Sequence, residues 1–237
     1  MAISDLELPP GVLAHSHANA QALAEAQAVA VAEALRIAIE SRGQATLVVS
    51  GGRSPIAFFE ALAQQPLHWQ RVLISLADER WVPTNHASSN EALVRRHLLR
   101  GPAAEARFLS LYRVASSLEQ AAELADQALA ELPPIDVLVL GMGDDGHTAS
   151  LFPASPNLDL ALQADCPRRV LPMQAPSAPA QRLSLTLPLL AAARLPLLAI
   201  QGPDKLATLR AALAGGDVAH MPIRALLHSP LEIYWCP

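Results

Sequence analysis

The sequence predicts an α/β fold: a doubly wound, mostly parallel sheet with helices on both faces. Three observations carry this. Short apolar runs rich in β-branched residues alternate with helix-length segments along almost the whole chain, and parallel strands need such crossovers between them. Polar, glycine-containing clusters follow directly on several of those runs, where open α/β sheets place their ligand-binding turns. No internal repeat or low-complexity segment breaks the pattern, apart from an Ala-rich first helix.

With 237 residues and no linker to divide it, the chain is expected to form a single domain over 1–237. A hydrophobic fraction of 51% supports a sizeable core and argues against disorder. The formal net charge is −5. That disfavours a nucleic-acid partner, and an anionic substrate would need a local nest of Lys, Arg and backbone N–H groups. Cys166 and Cys236 have neither metal-ligand nor disulfide-framework spacing, so no metal is expected. The first residues lack the charged and apolar regions of a signal peptide, and no apolar run has bilayer-spanning length. The expectation is a cytoplasmic protein with no membrane partner.

Residues 1–14, with Pro9, Pro10 and Gly11, read as an extended lead-in. His15 and His17 stand at i, i+2 and share no helix face, so they do not suggest a metal site. Ser16 or Asn19 caps the next helix, which runs to Ser41 with an apolar stripe of Leu23, Val29, Ala30, Leu35 and Ile39 and ends at Gly43. Ala45–Val49 is a strand. Ser50-Gly51-Gly52-Arg53-Ser54-Pro55 follows, then a helix to Ala63 with Pro55 in its first turn. Two glycines between a strand and a helix start make an anion cradle: bare N–H groups, the positive end of the helix dipole and the Arg53 guanidinium. By itself the motif equally suits an ordinary βα turn.

Val72–Ala77 is a strand that runs into Asp78-Glu79-Arg80-Trp81-Val82-Pro83, either a functional cluster or a solvated loop with an internal ion pair. Ser88-Ser89-Asn90 starts a helix to Leu99, broken by Gly101-Pro102. Phe108–Leu111 reads as a short strand. Ser116 or Ser117 caps a helix to Glu131, with Leu118, Leu124, Ala128 and Leu129 inward. Ile135–Leu140 is a buried strand.

Gly141-Met142-Gly143-Asp144-Asp145-Gly146-His147-Thr148-Ala149-Ser150-Leu151-Phe152-Pro153 follows it. Its glycines allow a sharp turn close to a ligand, and Thr148 is placed to begin a short helix. In Asp145-Gly146-His147 the carboxylate can fold back onto one imidazole nitrogen and fix the tautomer. The other nitrogen is then free to act as a general base. The plainer alternative has the aspartates capping the next turn and His147 as a polar loop residue.

Pro153–Pro167 is a loop or short helix, Arg169–Met173 a strand, and 174–181 an exposed loop. Arg182–Leu187 alternates like a half-buried strand, and Pro188 starts a short helix. Leu197–Ile200 is a buried strand, and Gly202-Pro203-Asp204-Lys205 opens a helix to Leu213 that Gly215-Gly216 ends. Pro222–Leu227 is a short helix or strand. Leu231–Trp235 is the last strand, with Cys236 packing beside it.

The clusters at 50–55, 78–80, 141–147 and 202–205 each follow a predicted strand. In a parallel sheet the strand C-termini share one edge, so these clusters converge into a site. Their inventory suits a phosphorylated small molecule: cations and N–H groups for the phosphate, a His–Asp pair for protons. No nucleophilic Cys, P-loop or Gly-x-Gly-x-x-Gly fingerprint is present.

Ser50–Pro55, Asp78–Pro83 with Ser89-Asn90, Gly141–Pro153 and Arg182–Leu187, in that order over nearly the whole chain, closely resemble the 6-phosphogluconolactonase family. The Asp145–Pro153 block is the most specific part. The resemblance implies a Rossmann-like α/β fold shared with glucosamine-6-phosphate deaminases. It also implies metal- and cofactor-free hydrolysis of 6-phosphoglucono-δ-lactone, a sugar-phosphate lactone, to 6-phosphogluconate in the oxidative pentose phosphate pathway. It assigns His147 as the base that activates water, Asp145 as its orienting partner, and Arg80 as a stabiliser of charge near the lactone. Gly51, Gly52, Arg53, Arg182 and Lys205 would form the phosphate nest, with Ser50, Asp78 and Asn90 as further substrate contacts. A monomer or small homo-oligomer is expected.

The sequence departs from the family in two places. Asp144 stands where Pro is frequent, and Ser88 where Asp often precedes Ser-Asn. Two other readings remain. An amino-sugar phosphate isomerase or deaminase of the same fold usually carries Glu shortly after the His, at the position of Phe152. A sugar-phosphate sensor would add a basic DNA-binding domain, for which no residues are left over.

Overall fold

The computed structural model describes residues 2–228 and 230–237. The chain runs through β1 (Val12–Ser16), α1 (Ala20–Arg42), β2 (Ala45–Val49), α2 (Ile56–Ala63), β3 (Val72–Leu76), β4 (Asp78–Arg80), α3 (Asn90–His97), β5 (Arg107–Phe108) and α4 (Leu118–Ala128). It continues through β6 (Val137–Leu140), α5 (Leu158–Ala161), β7 (Val170–Gln174), β8 (Gln181–Leu185), α6 (Leu187–Ala191), β9 (Leu195–Gln201), α7 (Pro203–Leu213) and β10 (Leu231–Cys236). Asn19 and Ser117 are the side chains that cap α1 and α4, accepting from Ala22 N at 2.9 Å and Gln120 N at 3.1 Å.

Seven strands form one sheet in the order β1-β10-β9-β6-β2-β3-β5, and every pairing in it is parallel. All residues of β2 and β6 are buried. Helices flank the sheet, so its central strands read as continuous Val/Leu runs. The α1 helix packs on α2 and lies across β2, β6 and β10, while α7 packs on β9. From β2 the chain steps outward to β3 and β5. From β6 it steps the other way, to β9 and β10. The order therefore reverses between β2 and β6, and a crevice opens at their carboxyl ends.

A second, antiparallel sheet has the order β4-β8-β7. Asp78–Arg80, expected as a charged functional cluster or a solvated loop after a strand, is a strand itself. Ala77 joins the two sheets: its N–H donates to Val49 O and its carbonyl accepts from Leu185 N, both at 2.9 Å. Three charged residues carry no period-2 apolar signal, so only the distant partner strand β8 reveals their conformation. The α4 helix covers this sheet through β7 and β8.

Other expectations are corrected. The lead-in contains β1, which pairs with β10 at the sheet edge; its burial pattern gives no alternating signal. Val29 lies outside the α1 stripe at 58% exposed, and the buried face is Leu23, Ala24, Gln27, Ala28, Val31, Ala32, Leu35 and Ala38. Small alanines let this face sit close to the sheet. Leu124 faces outward. Thr148 opens no helix: it forms a tight turn with Leu151, and the next helix begins at Leu158. No described helix is long and apolar enough to cross a membrane.

Candidate active site

The turn after β6 is closed by its own backbone. Gly143 N donates to His147 O at 2.8 Å, Gly146 N to Gly143 O at 3.1 Å, and Ile223 N anchors Gly146 O at 2.9 Å. Within it Asp145 Oδ1 accepts from His147 N at 3.0 Å and meets His147 Nδ1 at 2.6 Å. The carboxylate thus holds Nδ1, and Nε2 has no protein partner among the described residues. Burial alone would raise the Asp145 carboxyl. The His147 N–H, the imidazole charge and the side-chain bond outweigh it and hold the group below its usual pKa. Gly143 makes room for the pair: a Cβ there would fall 2.0 Å from His147 Nδ1 and 2.6 Å from Asp145 Oδ1. The Phe152 ring lies 4.3 Å from the imidazole on another side.

Three cations reach the same crevice from three elements: Arg80 on β4, Arg182 on β8 and Lys205 in the first turn of α7. Arg182 is buried, with Nε donating to Pro179 O at 2.8 Å and its guanidinium 5.5 Å over the Phe152 ring. Asp78 Oδ2 lies 3.9 Å from Arg182 and accepts from Ser150 Oγ at 2.6 Å. Burial lowers the Arg182 pKa; Asp78 opposes this and the nearby Arg80 adds to it. Arg80 Nη1 donates to Ser88 O at 2.8 Å.

These groups line one cavity of about 260 Å³ with Ser50, Gly51, Gly52, Asp78, Asn90 and His147, a size for a small molecule rather than a polymer. Ser50 Oγ, Arg80 Nε and Asn90 Oδ1 are buried there without a hydrogen-bond partner, the kind of atom that a polar ligand satisfies. The clusters after β2, β3, β6 and β9 therefore do converge. No three His, Cys, Asp or Glu side chains among the described residues are grouped to hold a metal ion.

The family profile described as "Glucosamine-6-phosphate isomerases/6-phosphogluconolactonase" matches residues 18–235. The chain belongs to this family. It is 62% identical over 237 residues to a 6-phosphogluconolactonase of Pseudomonas putida, covering 100% of this chain and 98% of the relative. It is 63% identical over 238 residues to one of Pseudomonas aeruginosa, covering 100% of both. In structure it resembles a 6-phosphogluconolactonase of Shewanella baltica with a TM-score of 0.93 and 38% identity, over 98% of this chain and 100% of that one. By name these relatives are lactone hydrolases.

In this glucosamine isomerase/lactonase family member, two expected site residues do not line the cavity. Arg53 is exposed on the turn after β2 and is not among the lining residues. Asp145 is not among the lining residues either, and its carboxylate is engaged with His147. One residue with a clear structural part was not singled out from sequence. Glu79 is fully buried on β4, where Oε1 accepts from Arg80 N and Asn90 N, each at 2.7 Å. Its Oε2 accepts from Glu91 N at 2.7 Å and Ser89 Oγ at 3.0 Å. It thus caps α3 from outside and ties Arg80 and Asn90 together. Burial raises its pKa while these four donors pull it back. The helix start at Ser89-Asn90 was a signal for a capping carboxylate, but nothing in the spacing named Glu79. Asn90 in turn donates to Asp78 O at 2.9 Å, and its carboxamide occupies the place of a Cβ on Gly51, 1.9 Å from Oδ1.

Proposed function

We propose that this chain, as one domain over residues 1–237, hydrolyses 6-phosphoglucono-δ-lactone to 6-phosphogluconate, with His147 as general base. The observation that carries the reading is the Asp145–His147 pair: Nδ1 is held at 2.6 Å, leaving Nε2 on a cavity that also receives Arg80, Arg182 and Lys205. The end-to-end similarity to proteins named 6-phosphogluconolactonase supports the substrate.

The geometry supports the following chemistry. Nε2 takes a proton from water as its oxygen attacks the lactone carbon, and Asp145 stabilises the imidazolium that forms. The carbonyl oxygen becomes an oxyanion, and a guanidinium at Arg80 offsets its charge. When the tetrahedral intermediate collapses, the bond from the carbonyl carbon to the ring oxygen breaks. The imidazolium proton passes to that oxygen, leaving a hydroxyl and a carboxylic acid, which ionises to the carboxylate by releasing its proton to solvent. Lys205, Arg182 and the backbone N–H groups of Gly51 and Gly52 hold the phosphate and so place the lactone over His147.

The family description also covers isomerases. An aromatic ring at Phe152, 4.3 Å from His147, cannot exchange protons with an amino sugar, which favours the lactonase reading. The test is loss of 6-phosphoglucono-δ-lactone, generated in situ at mildly acidic pH where the spontaneous reaction is slow. Acceleration by wild type that His147→Ala lacks is the expected result. No acceleration, together with ammonia release from glucosamine 6-phosphate, would replace this reading by the deaminase.

A further inference from the structure

Lys205 reaches the cavity from the first turn of α7, but its ammonium already has an anion. Its Nζ lies 2.6 Å from Asp144 Oδ1. The two partners differ in environment: the Lys205 side chain is 28% exposed, and that of Asp144 is 85% exposed. They also come from different elements, Asp144 from the turn that carries His147 and Lys205 from α7. The backbone of that turn is tied down, because Gly143 and Gly146 are hydrogen-bonded within it. The Asp144 carboxylate itself stands in water. An ion pair with one partner so exposed is weak, screened by salt and readily exchanged.

We propose that Asp144 is a built-in competitor for the phosphate of the substrate. Without ligand it neutralises Lys205. A phosphate monoester carries up to two charges near neutral pH and three acceptor oxygens, so it displaces a single exposed carboxylate. Asp144 then swings into solvent and still repels the bound phosphate. Whenever the phosphate departs, on product as on substrate, the carboxylate recaptures Lys205 and so eases release. The pair thus sets affinity for the phosphorylated end of the ligand without touching the reacting carbon. The inference rests on the reading above, in which Lys205 holds the phosphate.

The experiment compares wild type, Asp144→Asn, Lys205→Met and the double variant. It measures the Kd of 6-phosphogluconate by calorimetry and KM and kcat with the lactone. Asp144→Asn is expected to tighten 6-phosphogluconate and lower KM by roughly two- to fivefold, the range of an exposed ion pair, with the gain fading at high salt. In the Lys205→Met background the same substitution should give a clearly smaller gain. Weaker binding in Asp144→Asn would overturn the proposal and make Asp144 a residue that positions the lysine. An unchanged Kd would overturn it as well. An equal gain with and without Lys205 would show long-range repulsion in place of competition. Wild type that neither hydrolyses the lactone nor binds 6-phosphogluconate would remove the lactonase reading and this inference together, before any variant is compared.

Discussion

Arg80 and Arg182 stand directly opposite each other across the antiparallel pair β4–β8. Opposed residues of such a pair share a face, and like charges there repel. Asp78 lies 3.9 Å from Arg182, and the buried Glu79 also opposes the guanidinium charge. Two guanidiniums held together in a partly dry cleft are poised for an anion. Adding 6-phosphogluconate should therefore raise the melting temperature, as any ligand that binds only the native state does. Arg182→Met should raise KM by about tenfold or more, as expected for losing a charged hydrogen bond. A KM within twofold of wild type would take Arg182 out of the binding site.

His147→Asn keeps the size and polarity of the side chain but cannot accept a proton. A general base contributes about 10²–10⁴-fold, so kcat should fall by that order. Calorimetry should find 6-phosphogluconate bound about as tightly as before. Full turnover in the variant would remove His147 from the chemistry.

Gly143→Ala tests the fit of the turn. The new methyl would fall 2.0 Å from His147 Nδ1, so the imidazole must leave its bond to Asp145. A fall in kcat exceeding any loss of melting temperature is expected. Wild-type kcat would mean that the turn shifts to accommodate the methyl.

Glu79→Gln exchanges one acceptor oxygen for an NH₂ group. Each Glu79 oxygen accepts from two donors, so the amide must face an N–H or O–H with its own hydrogens. Leaving a buried donor unmet costs about 1–3 kcal/mol, measurable by denaturant unfolding. Because Arg80 and Asn90 hang on the same carboxylate, KM should rise as well. A loss of stability with unchanged KM and kcat would make Glu79 purely a helix cap.

The Asp145 carboxyl titrates below its usual value in the fold. The stability it adds is therefore full above the unfolded pKa near pH 4 and is lost as pH falls through the lower folded value. The stability gap between wild type and Asp145→Asn should shrink as pH falls below about 4. Urea unfolding across that acid range reads it, and a gap that stays constant to the lowest pH would contradict the assignment.

Much of the fold was legible because local patterns carried it. β2, β3, β6 and β9 are apolar runs bounded by glycine, proline or charge, and burial on both faces writes itself into such runs. Asp145-Gly146-His147 was legible for a related reason: the two side chains meet within one turn, so their spacing already contains the bond. Strand β1 was not, because it lies at the edge with exposed residues and gains its shape from β10. Arg53 looked like a phosphate ligand because it follows two glycines, yet it is exposed outside the cavity. A position in a turn does not fix the direction of a long side chain.

By itself the sequence determined the parallel α/β class, the strands whose C-termini carry polar clusters, and the Asp145–His147 pair, all set by contacts within a few residues. Only the tertiary structure decided that Asp78–Arg80 is a strand, that Arg80 faces Arg182, that Glu79 gathers the start of α3, and that Asp144 holds Lys205. Each of these depends on groups brought together from different elements, by strand pairing, charge or hydrogen bonding, and no local periodicity records that meeting.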